Sequence, residues 1–368
     1  MSSPRYIMIG GFLGAGKTTA ILKLAKQLQT AGKRVGLITN DQSHGLVDTQ
    51  MAAWHDFPVE EVTGACFCCR FNSLVEAAER LTASDAPEVF LAEPVGSCTD
   101  LKATVDYPLR RMYGDAYSVA PYSVLVDPIR AARILGLQRD KAFSEKVLYI
   151  YLKQLEEADL IVINKIDLLT SEQRAQLEAA VSERFPSAAV HAISAKEGTG
   201  ADQWLAKLTS CEAKIAGAME LDYDLYTEGE EMLAWLNGQF QLESETEFDG
   251  NLLVYRLAEL LSEELNIASL EVAHLKMTLS PRQGRDLAVI NLVRSDAKPE
   301  LSHRLDEPLM KGELTLNLRA QGPPELIRLL TERSLATLQR DSKLTVRVKH
   351  LESFRPGPPR PTHRLTAV

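Results

Sequence analysis

Cysteine is scarce in this chain, and its scarcity argues against a fold held together by disulfides. Only five of the 368 residues are cysteines, three of them in the stretch GACFCC, and the adjacent Cys68 and Cys69 could not pair without strain. Long apolar runs are missing too, because no segment approaches the ~20 residues that span a bilayer. The apolar start YIMIGGFLGAG is broken by glycines and runs into Lys17, which argues against a secretory signal. We therefore expect a protein of the reducing cytoplasm.

Basic residues are in the minority. Lys and Arg number 41 against 50 Asp and Glu, which gives a formal net charge of −9. Phosphate-rich surfaces attract clustered Lys and Arg, so this balance argues against a general binder of nucleic acid or anionic membranes. We expect neither nucleic acid nor membrane among the partners. The composition, 45% hydrophobic and 25% charged, is that of a globular protein, and the length predicts about two domains.

The N-terminal part of the chain, residues 1–210, alternates short apolar strands with amphipathic helices. Continuous Val/Ile/Leu strands separated by helices indicate an α/β fold with a mostly parallel sheet covered on both faces. The predicted strands lie at residues 5–9, 35–39, 89–92, 123–126, 160–164 and 190–193.

The pattern changes after residue 210. Residues 211–231 are acidic and weakly patterned, which predicts a linker. Residues 232–354 show two-residue alternation, as in LTVRVKHL, and this predicts a half-exposed antiparallel sheet in a smaller α+β domain, ferredoxin-like or similar. Residues 355–368, RPGPPRPTHRLTAV, are proline-rich, and we predict that they are disordered.

The stretch GGFLGAGKTT joins the first strand to the first helix and fits G-x-x-x-x-G-K-[ST]. In such a loop, backbone N–H groups and the helix N-terminus surround a phosphate. Lys17 would reach the β and γ phosphates, and the Thr18 hydroxyl would join a Mg²⁺ shell. A glycine-rich turn without a ligand is the alternative. The predicted nucleotide-binding residues here are Gly11, Gly14, Ala15, Gly16, Lys17, Thr18 and Thr19.

The base is predicted from VINKID, which matches N-K-x-D at the end of a strand. A carboxylate at Asp167 can accept both N1–H and N2–H₂ of guanine, whereas adenine would leave it unpaired. A polar helix cap is the alternative, but ISAKEG supplies a second base-contacting loop in the right order. The nucleotide is therefore predicted to be GTP. The predicted contacts are Asn164, Lys165, Asp167, Ser194, Ala195 and Lys196.

Two further strands end in acidic residues that could take part in hydrolysis. Glu93 ends a buried strand three residues before Gly96, where an acid can meet the Mg²⁺ shell or the attacking water and the glycine N–H can sense the γ-phosphate. Asp41 follows the second strand and is a candidate for Mg²⁺ contact, with the loop to Asp48 ordering on GTP. Local capping is the alternative for both acids. With Lys17, Glu93 and Gly96 as catalytic residues and no strong base, we expect slow turnover.

The three clustered cysteines, Cys66, Cys68 and Cys69, form C-x-C-C between two strands. Thiolates are good ligands for Zn²⁺ or another borderline-to-soft divalent ion, and three of them leave one tetrahedral position open. The fourth ligand could be Asp41, His44 or a group from a second molecule. Buried inert cysteines and a redox thiol group are the alternatives. We predict that Cys98 is a plain core cysteine.

With these motifs in hand, the chain resembles the CobW-like metallochaperone GTPases, relatives of the GTPases that help insert nickel into urease and hydrogenase. GGFLGAGKTT, GACFCC, EPVG and NKID carry the resemblance over roughly residues 5–210. It implies that GTP hydrolysis controls the delivery of a divalent metal (zinc, or else cobalt or nickel) from C-x-C-C to a client metalloprotein. Because related GTPases often dimerise across the nucleotide, it also implies a GTP-dependent homodimer.

The sequence departs from the family pattern in two ways. It has no His-rich run, and the usual Asn-Glu after the second strand is Asn40-Asp41 here. These departures leave the metal and the recipient enzyme open, not the GTPase core. A second hypothesis is a regulatory or assembly switch in which the cysteines are only structural. A kinase that phosphorylates a small molecule is disfavoured by N-K-x-D together with S-A-K.

Overall fold

The structure is a computed structural model that describes residues 3–40, 47–114, 116–139, 143–212 and 217–366, without the side chains of residues 48, 49, 53 and 54. The described chain divides into two compact units. The first takes the N-terminal part through Gly229 together with the segment from Pro358 onward. The second takes Glu230–Gly357 and also Val47.

The first part of the chain alternates strands and helices. Its strands are β1 (Arg5–Gly11), β2 (Val35–Asn40), β3 (Val59–Val62), β4 (Val89–Glu93), β5 (Ser118–Val119), β6 (Ser123–Val126), β7 (Leu160–Ile163) and β8 (Ala189–Ala192). Its helices are α1 (Lys17–Thr30), α2 (Val47–Trp54), α3 (Phe71–Asp85), α4 (Tyr107–Tyr113), α5 (Pro128–Ile134), α6 (Glu145–Glu156), α7 (Ser171–Arg184), α8 (Ala201–Ser210) and α9 (Tyr223–Glu231).

The strands of the first unit form one parallel sheet in the order β3-β2-β4-β1-β6-β7-β8, with β5 also paired to β1. Successive strand residues point to opposite faces, and in β1 the consecutive Ile7, Met8 and Ile9 are all buried. The sheet is therefore covered on both faces, and the predicted α/β class is confirmed. β3 escaped prediction because its sequence, VEEV, is half charged.

The second unit is an antiparallel sheet with two long helices. Its strands are β9 (Leu233–Phe248), β10 (Glu271–Pro281), β11 (Ala288–Leu292), β12 (Glu300–His303), β13 (Leu309–Gln321) and β14 (Thr345–Phe354), and its helices are α10 (Gly250–Ile267) and α11 (Pro324–Ser342). The sheet order is β12-β11-β10-β13-β9-β14. The strands flanking the helices therefore lie in the order β14-β9-β13-β10, the ferredoxin-like arrangement. The prediction of a smaller α+β domain is confirmed.

Helix α10 shows why this unit folds around one core. Leu253, Leu257 and Leu261 recur every four residues and are buried on one face, where they join a cluster of apolar side chains from the sheet and from α11. Asp249 caps the helix by accepting hydrogen bonds from the N–H groups of Asn251 and Leu252. Among the described helices, none has the length and apolarity to cross a membrane.

Two predicted irregular segments differ in the structure. The predicted linker contains α9, and its Tyr226 is buried, with its hydroxyl accepting a hydrogen bond from the Thr99 N–H at 3.2 Å. The predicted disordered tail is wrong for residues 358–366, which hydrogen bond to the first unit through the N–H groups of Thr362 and Leu365. Proline-rich composition predicted disorder because it lacks apolar periodicity, but main-chain hydrogen bonds to a folded surface leave no such pattern in a sequence.

Candidate nucleotide and metal site

The loop between β1 and α1 needs glycine at its bends. Gly11, Gly14 and Gly16 have φ values of 127°, 80° and 87°, in the left-handed region that side-chain-bearing residues avoid. A Cβ on Gly11 would lie 2.2 Å from the Leu125 carbonyl oxygen, and one on Gly16 would lie 2.6 Å from Asn164 Nδ2. Side chains at Gly11 and Gly16 would therefore clash with β6 and with Asn164, and the glycines leave a compact loop, called here the phosphate cradle, at the N-terminus of α1, where a phosphate can bind.

Two polar residues at the start of α1, Lys17 and Thr18, contact the last residue of β4. The Thr18 hydroxyl donates to Glu93 Oε1 at 3.1 Å, and Lys17 Nζ lies 3.9 Å from the same oxygen. All three side chains are buried. A hydroxyl and a carboxylate brought together are the oxygen donors that Mg²⁺ prefers, so the residues present fit this ion. Thr19, on the first turn of α1, is exposed.

Asn164 joins the two predicted base-contacting loops to the phosphate cradle. Its Nδ2 donates to the Ala15 carbonyl at 2.9 Å, and its Oδ1 accepts from the Ala195 N–H at 3.0 Å. Asn164 is buried, so these bonds replace water that it cannot reach. Three segments far apart in sequence therefore meet at one side chain.

The neighbouring carboxylate is also held in place. Ser194 Oγ donates to Asp167 Oδ1 at 2.6 Å, while Asp167 and Lys196 are exposed. Lys165 has a positive φ of 56°, and its ammonium donates to the Gly14 carbonyl at 2.7 Å. The structure thus brings together the predicted GTP-contacting residues of all three loops.

Asp127 is a site residue that the sequence analysis missed. It directly follows β6 and precedes α5. Its side chain is buried and accepts a hydrogen bond from Lys165 Nζ at 2.8 Å. Burial by itself raises the pKa of Asp127, but Lys165 and Arg130 outweigh this and bring it to about 2. The signal was the pair Asp127-Pro128 after a buried strand, since Asp is a good helix cap and Pro suits the first helical position.

The sequence analysis also missed Arg130, which supports the phosphate cradle at Leu13. Its guanidinium donates to the Leu13 carbonyl at 2.6 Å and lies 5.4 Å and 5.0 Å from the ring centroids of Phe12 and Phe143. These are cation–π distances. A buried arginine with carbonyl and aromatic partners holds the loop in shape.

The loop after β4 is in close contact with the phosphate cradle. A Cβ on Gly96 would lie 2.8 Å from Leu13 Cδ2 and 3.1 Å from the Leu13 backbone nitrogen, so only glycine allows this approach. Gln154 Nε2 donates to the carbonyls of Gly96 and Cys98 at 3.0 and 2.8 Å. The candidate γ-phosphate sensor is therefore in contact with the phosphate loop and held by a buried amide.

The end of β2 is tied to the cysteine motif. Asn40 Nδ2 donates to the carbonyls of Val62 and Ala65, both at 2.8 Å, and its Oδ1 accepts from the Phe67 N–H at 2.8 Å. β2 lies beside β4 in the parallel sheet, so Asn40 and Glu93 end neighbouring strands at one edge. The predicted ligands Asp41 and His44, and the loop to Asp48, lie outside the fully described residues.

Residues Cys66–Cys69, called here the cysteine turn, bring three sulfur atoms together. The N–H groups of Cys69 and Arg70 donate to the Cys66 carbonyl at 3.0 and 2.9 Å, which closes a turn just before α3. The Sγ atom of Cys66 lies 2.8 Å from that of Cys68 and 3.3 Å from that of Cys69. The Sγ atoms of Cys68 and Cys69 are 3.8 Å apart. All three lie within 4.8 Å of one another.

This sulfur group fits a thiophilic cation. Tetrahedral ligands at the usual Zn–S distance of about 2.3 Å lie about 3.8 Å from each other. The pair Cys68–Cys69 already has a separation of 3.8 Å, and the other two pairs are closer. A small widening of the turn would therefore accommodate a tetrahedral ion.

The sulfurs influence each other's ionisation. Hydrogen bonds from the thiols of Cys68, Cys69 and Cys98 hold the pKa of Cys66 well below its usual value. The hydrogen bond with Cys66 is the largest cause that raises the pKa of Cys68 well above its usual value and that of Cys69 to about 11. Thiolate is the form that binds metal, so the lowered pKa of Cys66 favours the ligating form of that sulfur. Cys98, predicted as a plain core cysteine, is buried but interacts with the cysteine turn.

Curated proteins that are similar to this chain in sequence include two zinc chaperones. Zinc chaperone CobW of Sinorhizobium sp is 29% identical over 201 residues, which cover 48% of this chain and 55% of the relative. Zinc chaperone YeiR of Escherichia coli (strain K12) is 28% identical over 172 residues, 46% of this chain and 49% of the relative. The chain thus spans about half the length of these curated relatives.

Solved structures that are similar to this chain include HypB from Helicobacter pylori in complex with nickel, with a TM-score of 0.39 and 16% identity over 55% of this chain and 85% of that one. The Zn(II)-bound YjiA GTPase from E. coli has a TM-score of 0.38 and 16% identity over 92% of this chain and 99% of that one. The family model described as CobW/HypB/UreG, nucleotide-binding domain, matches residues 5–192. The predicted resemblance is confirmed, and the chain belongs to the CobW/HypB/UreG family.

Proposed function

We propose that this protein is a GTP-hydrolysing metallochaperone that carries a divalent metal on Cys66, Cys68 and Cys69 and couples its nucleotide cycle to metal transfer. The observation that carries the proposal is a set of three hydrogen bonds: Asn40 donates to the carbonyls of Val62 and Ala65, just before the cysteine turn, and accepts from the N–H of Phe67 within it. Asn40 ends β2, whose neighbour β4 ends at Glu93 beside Lys17 and Thr18. A change at the phosphate end of the sheet therefore has a short physical route to the sulfurs.

Guanine is the base that suits the site. Asp167 is exposed, and Ser194 holds one of its oxygens, so the carboxylate is oriented to accept from the N1–H and N2–H₂ groups of guanine. Adenine lacks that pair of donors, and a site built for them discriminates strongly against a base without them. Lys165, held by Gly14 and Asp127, would lie along the base.

Hydrolysis would depend on positioning and charge. Lys17 would bind the β and γ phosphates, and the Gly96 N–H would meet the γ-phosphate. Thr18 and Glu93 would hold Mg²⁺, which neutralises charge on the phosphates. Glu93 is already bonded to Thr18 and lies near Lys17, so it is a weak general base, and we expect slow intrinsic turnover.

Zinc is the cargo that we propose, because three clustered sulfurs suit it and two relatives are named zinc chaperones. Cobalt and nickel are borderline ions that thiolates and nitrogen ligands also accept. We further propose a client metalloprotein as the recipient, a GTP-dependent homodimer, and a reducing compartment such as the cytoplasm, in which free thiols persist.

The test is a measurement of Zn²⁺ affinity by competition with a chromophoric chelator, in the presence of GDP and of a non-hydrolysable GTP analogue. The wild-type protein should bind one Zn²⁺ with nucleotide-dependent affinity, and replacing Cys66, Cys68 and Cys69 together by Ser should abolish binding. Cys211→Ser is the matched control, because that thiol is exposed and outside the turn. Equal affinity in both nucleotide states would refute the coupling. Loss of thermal stability without any zinc binding would favour a switch with structural cysteines.

A further inference from the structure

The C-terminal segment 358–366, called here the strap, lies directly on the cysteine turn. The Arg360 N–H donates to Cys69 Sγ at 3.1 Å. Thr362 forms two more bonds, from its N–H to the Cys68 carbonyl at 2.8 Å and from its hydroxyl to the Cys69 carbonyl at 2.9 Å. The strap therefore bonds to the Cys69 sulfur and to two successive carbonyl groups of the turn, those of Cys68 and Cys69.

The next residue of the strap packs on the helix that follows the turn. The His363 ring meets the ring of Phe71 edge to face, with centroids 5.2 Å apart and planes at 88°. Phe71 is the first residue of α3 and is fully buried. The strap thus contacts the cysteine turn through hydrogen bonds and the start of α3 through an aromatic pair.

The other end of the strap is anchored on the loop that follows β4. Arg364 Nε donates to Asp100 Oδ2 at 2.7 Å, and the Leu365 N–H donates to the Ala103 carbonyl at 2.8 Å. Asp100 is only 1% exposed and has a φ of 63°, and Tyr223 donates to the same oxygen at 2.8 Å. A buried carboxylate strongly favours keeping its cationic partner, so Arg364 is a firm anchor rather than a surface ion pair.

Asp100 belongs to the same loop as the candidate γ-phosphate sensor. Gly96 touches Leu13 of the phosphate cradle, and the Gln154 amide holds the carbonyls of both Gly96 and Cys98. Thr99 bonds to the buried Glu157 at 3.1 Å through its hydroxyl. The loop is therefore braced from the phosphate cradle to Asp100, and a displacement of Gly96 would be passed along it to Asp100.

We infer that the strap is a mechanical link between the two sites. It orders Cys68 and Cys69, and it transmits movement of the loop after β4 to the cysteine turn, so that metal release follows the nucleotide. Arg364 and Asp100 are its positioning residues, acting through the strap rather than on the metal. The identity of the cargo rests on the proposed function, but the ordering of Cys69 by the strap does not.

The first arm of the test uses the full-length, metal-free protein. The rate of Cys69 alkylation by iodoacetamide is followed by peptide mass spectrometry. Arg364→Ala should raise this rate by about tenfold or more, since release of the strap opens the turn locally. Arg355→Ala is the matched control, because Arg355 is exposed and lies just upstream of the strap. Its rate should equal that of the wild type.

A second variant separates release of the strap from general unfolding. Arg364→Ala leaves a buried acid without its cation, whereas Asp100→Asn with Arg364→Ala removes both charges. The double variant should regain thermal stability while Cys69 remains fast to alkylate. A wild-type alkylation rate in the single and double variants would overturn the inference, and so would a rate that returns to wild type together with stability.

The second arm measures the rate of Zn²⁺ transfer to a chromophoric chelator with GDP and with a GTP analogue. In the wild type the two rates should differ, and in the double variant their ratio should approach one. A nucleotide-dependent ratio that persists without Arg364 would overturn the link. If the wild type binds no zinc but Arg364 still protects Cys69, the proposed function fails while the ordering role of the strap stands, so the two failures are distinguishable.

Discussion

The phosphate cradle and the cysteine turn, both in the first unit, are built by different means. The cradle is one short loop in which three glycines adopt positive φ, and Asn164, Lys165 and Arg130 bond to its carbonyl groups. The turn is held from outside its own sequence by Asn40 from β2 and by the strap from the C-terminus. Glycines at positive φ set the local path of the cradle backbone, whereas, among the described residues, no such glycine lies in the cysteine turn, whose position depends on β2 and the strap. This difference is the physical basis of the coupling that we propose between the two sites.

The largest predicted effect is a loss of GTP affinity when Gly16 of the phosphate cradle receives a side chain. Gly16→Ala places a methyl group 2.6 Å from Asn164 Nδ2 on a residue with φ 87°. We expect GTP affinity to fall by about 100-fold or more, because both the loop and Asn164 must shift. Titration with a fluorescent GTP analogue measures this.

The matched control for that substitution is Gly32→Ala. Gly32 has a similar φ of 80°, but nothing lies within 4 Å of an added Cβ, and it is exposed after α1. It should lose a little stability and keep its GTP affinity. An equal loss of affinity in both variants would show that backbone strain alone, rather than the shape of the cradle, limits binding.

The second prediction loosens the cysteine turn from outside. Asn40→Ala removes three hydrogen bonds to the segment that carries the cysteines. Supporting residues of this kind typically contribute 10–100-fold to metal affinity, so we expect zinc affinity to fall by about that factor. GTP binding should change less, and chelator competition and nucleotide titration measure the two separately.

Asn251→Ala tests whether general destabilisation explains such a result. Asn251 makes a comparable pair of bonds with the backbone of Leu305, in the second unit. Its loss should lower thermal stability and leave zinc affinity unchanged. If Asn40→Ala kept full zinc affinity, the idea of a turn that is held from outside would be wrong.

The smallest predicted effect concerns the buried acid behind the loop after β4. Burial, helped by the Asp100 charge, raises the pKa of Glu157 to about 8, well above its unfolded value. Because the pKa of Glu157 is higher in the folded than in the unfolded protein, the folded state binds more protons between these two pKa values. The free energy of unfolding therefore falls as the pH rises through that range. Between pH 7 and 8.5 the wild type should therefore lose on the order of 1 kcal/mol of unfolding free energy relative to Glu157→Gln.

Urea unfolding at the two pH values measures this difference. Glu156→Gln is the control, because Glu156 is exposed and its pairing with Lys153 is a surface contact. It should follow the wild type at both pH values. A wild-type pH dependence in Glu157→Gln would mean that Glu157 is ionised in the folded protein at neutral pH.

Much of the fold and part of the site could be predicted from local patterns. The strands β1, β2, β4, β6 and β7 were found because a strand buried on both faces must be apolar throughout. β3 was missed because charged residues dominate it, and Asp127 was missed because a capping aspartate and a site aspartate look the same in a sequence. Cys98 was predicted to be a plain core cysteine. Its contact with the cysteine turn depends on the path of the loop after β4, which is set by tertiary structure.

By itself the sequence determined the chemistry of this protein: which loop can surround phosphate, which carboxylate can accept from guanine, and which sulfurs are neighbours. These follow from residues within a few positions of each other, whose geometry the local backbone sets. Only the tertiary structure decided what holds those groups. Asn40, Asp127, Asp100 and Arg364 act on partners far away in the chain, and folding alone brings such groups within hydrogen-bonding distance.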